Sequence, residues 1–171
     1  MSARFKHRYA LALGASTLAA ILCSSALAQE DWKEIDAPPA PAWRQEGLIP
    51  IEMPIRTNLS FGLDPRTVSI GSDFVVRYVI VASSSSGSVN AMYEGLRCDT
   101  REVKTYARAS APGEWRPVAE PQWRTLDITQ SANRHSLALA RQGVCESSSL
   151  SATTVPELLR RLKNPPQNLN P

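Results

Sequence analysis

Phe74-Val75-Val76-Arg77-Tyr78-Val79-Ile80-Val81-Ala82 is the stretch on which the fold turns. One side of an extended chain here shows Phe74, Val76, Tyr78, Ile80 and Ala82, and the other Val75, Arg77, Val79 and Val81. Both sides are apolar and rich in β-branched residues, which predicts a central strand covered on both faces. Gly71-Ser72-Asp73 turns the chain into it from a short strand at residues 67–70. The Ser83–Gly87 run turns it out again. Residues 89–98 form the returning strand of a hairpin, and residues 101–108 a third, after the Cys98-Asp99-Thr100 turn. On that third strand Glu102, Lys104, Tyr106 and Arg108 share a side, which the charge pattern directs to water. Residues 114–118 and 123–126 read as short strand or loop pieces.

The C-terminal third changes character. Residues 131–141 fit either a short helix or an extended piece. Thr154-Val155-Pro156-Glu157 reads as a capping box, with proline tolerated in the first turn. Val155, Leu158, Leu159 and Leu162 then make one apolar stripe, which predicts a short helix docked on the sheet. Asn164-Pro165-Pro166 stops it. The expected fold is α+β: an antiparallel meander with a packed C-terminal helix. A mostly-β sandwich or small barrel is the alternative.

Upstream of the sheet, residues 29–56 carry Ala37-Pro38-Pro39-Ala40-Pro41, which favours polyproline II. Trp32, Trp43, Ile49, Ile51, Met53 and Ile55 are spread through the same stretch, so parts of it should lie against the domain. Residues 48–55 suit an edge strand, where Pro50 and Pro54 are tolerated.

Residues 1–28 read as a secretory signal. Arg4, Lys6 and Arg8 precede an apolar run of about 13 residues, Ala10 to Leu22, and Ser24-Ser25-Ala26-Leu27-Ala28 follows with an Ala-x-Ala site. That run is short of the roughly 20 residues a membrane span needs. Cys23 would suit a lipoprotein, but Leu22 stands where a small residue is expected. Cleavage after Ala28 and a periplasmic location are the expectation. The organisation is then signal 1–28, Pro-rich extended segment 29–56, one globular domain 57–164 and a frayed tail 165–171.

Signal removal also changes the charge. The whole chain of 171 residues has 19 Lys+Arg, 16 Asp+Glu and a formal charge of +3. Taking away Arg4, Lys6 and Arg8 leaves 16 basic residues against 16 acidic ones, all beyond residue 28. A neutral chain gives no electrostatic case for nucleic acid. Two cysteines remain, Cys98 and Cys145, and in an exported protein they read as one disulfide. Two free thiols or a metal pair are the alternatives, and one remaining histidine makes a poor zinc set.

The Val75-Val76-Arg77-Tyr78 block, Asn90, and Tyr93-Glu94-Gly95-Leu96-Arg97-Cys98 resemble the cryptic neisserial protein family, small exported proteins of Gram-negative bacteria. Tyr106-Ala107, Trp115, Trp123 and Cys145 extend the resemblance over residues 30–160. It implies a single periplasmic domain, and no established activity to transfer.

The candidate polar cluster is Arg77, Asn90, Tyr93, Glu94 and Arg97. Pairing of the two hairpin strands brings them close. A covered Arg77 needs a carboxylate, and Glu94 is the nearest in the hairpin. One reading is an Arg77–Glu94 ion pair that fixes register; the other is a small cleft in which Arg77 and Arg97 hold an anionic ligand. His135, between Arg134 and Ser136, reads as a surface residue. The tryptophans fit either a stacking platform or packing over a loop around Pro117 and Pro121. The chain has no P-loop, dinucleotide fingerprint, zinc motif, calcium loop or hydrolase elbow, so no cofactor or catalytic residue is expected. The expected function is a non-enzymatic accessory or binding module acting on another envelope protein or a small anionic ligand. An envelope hydrolase, or a structural protein binding peptidoglycan or outer membrane, are the other readings.

Overall fold

The computed structural model describes residues 32–165. The signal expected at 1–28 and all but the first residue of the tail expected at 165–171 lie outside the described residues.

One open antiparallel sheet organises the chain. Its strands are β1 (Ile49–Pro50), β2 (Leu59–Ile70), β3 (Val76–Ser84), β4 (Val89–Arg97), β5 (Glu102–Ala109), β6 (Arg116–Pro117) and β7 (Arg124–Thr125). They lie in the order β1-β2-β3-β4-β5-β6, with β7 also on β5. β8 (Cys145–Glu146) and β9 (Ser149–Leu150) form a separate small hairpin. A 3-10 turn at Ser131–Asn133 leads into α1 (Arg134–Leu139), whose last turn widens at Ala140–Val144. α2 (Val155–Lys163) ends the described fold. The architecture is α+β.

The short strand expected at 67–70 is the end of the 12-residue β2. A bulge interrupts β2 between Asp64 and Ser69. Pro65 sits in the bulge, where a missing amide donor does no harm. The Thr67 hydroxyl bridges it, donating to Asp64 O (2.7 Å) and accepting from Val79 N (2.9 Å).

β3 is covered on both faces. On the first, Val76, Tyr78, Ile80 and Ala82 meet Leu63, Met92, Leu96, Leu137, Leu139, Leu158 and Leu162. On the second, Val79 and Val81 meet Ala91, Tyr93, Ala107 and Trp43. Helices cover the first face and the Pro-rich segment the second. Trp115 donates its indole N–H to Pro41 O (2.9 Å), and Arg44 N donates to the Asp64 carboxylate (2.9 Å). The segment is therefore a strap that completes the second core.

The strap also corrects the expectation for β5. A bulge between Tyr93 and Glu94 changes which residues share a face. Lys104 and Tyr106 do not face water: both donate to Glu34, from the strap, at 2.7 and 2.6 Å.

α2 docks through Leu158 and Leu162, both buried. The capping box does not form. Thr154 stands at the N-cap, but its side chain makes no capping bond. The Glu157 carboxylate turns along the helix and accepts from Arg161 (3.4 Å).

Candidate functional site

The hairpin register decides where the polar residues go. Tyr78 pairs with Glu94, and Arg77 with Gly95. Successive side chains alternate between faces, so Arg77 and Glu94 lie on opposite sides of the sheet. The ion pair expected between them is absent. Arg77, Tyr93 and Arg97 share the strap face, Glu94 lies in the helix-covered core, and Asn90 is exposed near the Ser-rich loop.

Arg77 finds its carboxylate four residues back. Its guanidinium donates to both Asp73 oxygens, Nη1 to Oδ1 at 3.1 Å and Nη2 to Oδ2 at 2.7 Å. Gly71 leaves the room: a Cβ there would collide with Asp73 Oδ1 and Arg77 Nη1, while the space over Gly95 is taken by the Tyr106 hydroxyl. Glu34 lies 3.6 Å from Arg77 and also accepts from Trp123 Nε1 (3.1 Å). Burial opposes ionisation of Glu34, but Lys104, Tyr106 and Trp123 outweigh it and hold its carboxyl below the usual range. Arg97 donates to Asp99 (2.7 Å) and stacks 3.4 Å over Trp32. Both arginines assigned to an anionic ligand are thus neutralised from within the chain.

Glu94 collects a second network. Its carboxylate lies 3.1 Å from His135 Nε2 and accepts from Ser136 Oγ (2.9 Å), Thr105 Oγ1 (3.2 Å) and Tyr78 OH (3.4 Å). Burial raises the Glu94 pKa, and His135, Ser136 and Thr105 bring it below the ordinary value. His135 is not a surface residue. It is 3% exposed and its ring stacks on Phe61 at 5.1 Å. The sequence placed it on the surface because its neighbour Arg134 is charged, but residues 135–140 are all buried. The Ser136 hydroxyl bonds Glu94 and not His135, so the order of a nucleophile–base–acid relay is not made.

The cysteines form the expected bridge, Cys98–Cys145, with Cα atoms 5.5 Å apart. It joins the turn after β4 to the β8–β9 hairpin, and three cavities lie beside it, the two larger of which share a wall. The larger of the two, about 570 Å³, is bounded by residues 70–74, Trp32, Cys98, residues 148–150, Ala152 and Thr153. The second, about 470 Å³, has Cys145, Arg101, Arg141, Ser147 and Leu126 among its walls. Ser148 lines both.

Phe74 stands at the edge of the larger cavity with 72% of its surface exposed and φ +61°. A bulky residue in the left-handed region is a genuine outlier, and such conformations cluster at functional sites. Asp73 and Asp99 also line this cavity, but each is held by an arginine, Arg77 and Arg97. The apolar run hides Phe74, because it extends the strand pattern two residues ahead of β3, which begins at Val76. The signal available was a large aromatic directly after the Gly71-Ser72-Asp73 turn.

Among the described residues no group of three or more His, Cys, Asp or Glu gathers to hold a metal. No helix there is long and apolar enough to cross a membrane.

An open antiparallel sheet held between helices and an extended strap defines a small α+β protein with a disulfide-walled cleft. A family model described as the CNP1-like family matches residues 27–163, and the chain belongs to that family. No curated protein and no solved structure matches the chain.

Proposed function

We propose that the protein is an exported, non-enzymatic binding module of the cell envelope, and that it binds its partner in the cleft edged by Phe74. The observation that carries this reading is Phe74 itself, an exposed aromatic held in a left-handed backbone conformation at the mouth of a cavity. Its volume of about 570 Å³ falls in the roughly 300–1,000 Å³ range of small-ligand sites. Residues 1–28 and the Cys98–Cys145 pair support export to an oxidising compartment. The resemblance to neisserial proteins supports the periplasm of a Gram-negative cell.

An envelope hydrolase is the second reading, because His135 does lie against a carboxylate and beside a hydroxyl residue. Against it, Glu94, His135 and Ser136 are each at most 3% exposed, and neither cavity is lined by any of them. The reading as a wall or membrane protein that binds through tryptophan has less support, since Trp43 is buried and Trp115 and Trp123 are engaged by the strap.

A photoreactive phenylalanine analogue at position 74, in the full chain exported by Gram-negative cells, tests the proposal. A discrete adduct at 74 and none from the same group at the exposed Arg160 is expected. Equal labelling at both positions, or none at 74, would overturn it.

A further inference from the structure

We infer that the cleft takes an amphiphilic anion, with an apolar chain in the larger cavity and a carboxylate or phosphate head between Arg101 and Arg141. This rests on the binding reading above and names the ligand's chemistry.

The division of charge between the two cavities carries it. The larger cavity offers Trp32, Ile70, Phe74, Leu150, Ala152 and the Cys98 sulfur, and its two acids are already neutralised by Arg77 and Arg97. A charged ligand group gains nothing there, and an apolar one gains by leaving water. The adjoining cavity also has apolar walls, Leu126, Leu137 and Ala140, but adds two cations. Arg101 and Arg141 both line it, both are exposed, and neither has a carboxylate partner among the described residues. Ser147 and Ser148 add hydroxyl donors. Guanidinium forks with hydroxyls beside them suit a carboxylate or phosphate.

The backbone is shaped at the same place. Besides Phe74, two described non-glycine residues have positive φ, Arg101 at +55° and Ser147 at +56°, and both line the second cavity. All three left-handed non-glycine residues among the described residues therefore sit at the paired cavities. Ser148 belongs to both and the disulfide lies along both, so one molecule can lie across them.

Calorimetric titration of the disulfide-bonded protein with octanoate, octyl phosphate and octanol tests this. Saturable one-to-one binding of octanoate or octyl phosphate is expected, with the tighter of the two identifying the head group. Octanol should bind about tenfold or more weakly, since a charge-assisted contact is lost. The Arg101→Gln/Arg141→Gln double variant should bind the anions as weakly as octanol and leave octanol unchanged. Arg101→Lys/Arg141→Lys should restore part of the anion affinity. Phe74→Ala should weaken all three. Equal affinity for octanol and octanoate, no effect of the arginine changes, or no saturable binding would overturn the inference. Labelling at position 74 that persists alongside such a failure would locate the error in the ligand class and not in the cleft.

Discussion

Arg77 and Asp73 close the turn between β2 and β3 on themselves: the guanidinium grips both carboxylate oxygens, and each side chain is 1% exposed. Asp73 also accepts from Val75 N (3.3 Å) and from Ile35 N in the strap (3.2 Å), while Trp32 donates to its carbonyl (3.0 Å). The pair therefore fixes the turn that carries Phe74 and the strap that carries Trp32. Two sides of the cleft depend on it.

Asp73→Ala should destabilise the fold by roughly 3–5 kcal/mol, because it leaves a buried guanidinium without its carboxylate. Urea unfolding checks this. A loss under about 1 kcal/mol would mean that Glu34, 3.6 Å from Arg77, supplies the counter-charge instead.

The four carboxylates Glu34, Asp64, Asp73 and Glu94 all have pKa values below their ordinary ones: burial opposes ionisation in each, and hydrogen bonds and nearby cations outweigh it. The unfolded chain then binds more protons than the folded one as acid is added, so stability is present above about pH 5 and lost progressively below it. Urea midpoints measured from pH 7 to 3 should fall with pH. Glu34→Gln should lower the midpoint at pH 7 and flatten its acid dependence, and it should raise amide exchange at Ile35. An unchanged slope in that variant would remove Glu34 from the account.

Replacing Cys98 and Cys145 by Ser should cost about 3–5 kcal/mol, since the bridge closes a separation of 47 residues. If the fold survives at low temperature, binding in the cleft should still be lost, because the bridge ties together the two hairpin turns that wall it. Intact binding in the reduced protein would show that the cleft holds its shape without the bridge.

Phe74→Asn should stabilise the protein by about 0.5–1 kcal/mol while weakening binding. Asn tolerates φ > 0 far better than Phe, and an exposed ring gives up little burial. Thermal melting checks the first effect. A destabilised variant would show that Phe74 is held by packing and not kept for a partner.

The sheet was legible in the sequence and the site was not. The short apolar run over residues 74–82, rich in β-branched residues and bounded by turn signals, favours a doubly covered strand, and the Leu158/Leu162 stripe favours a short docked helix. Even the strap was signalled, by Trp and Ile set among prolines. What alternation leaves open is register, and a shift of one residue moves a side chain through the sheet. That single step separates Arg77 from Glu94. The partners actually used, Glu34 for Lys104 and Glu94 for His135, are 70 and 41 residues apart in the chain. No local pattern encodes such contacts. The β2 and β5 bulges were hidden for the same reason, since they show only when two strands are laid side by side.

The most direct measurement is a map of amide chemical shifts in isotopically labelled, disulfide-bonded protein titrated with a soluble extract of the Gram-negative cell envelope. Perturbations should gather at residues 71–74, 98–101 and 147–153, and shrink at the same extract concentration in Phe74→Ala. Perturbations centred elsewhere, such as the Ser-rich loop at 84–88 or the outer face of α2, or none at all, would contradict the account.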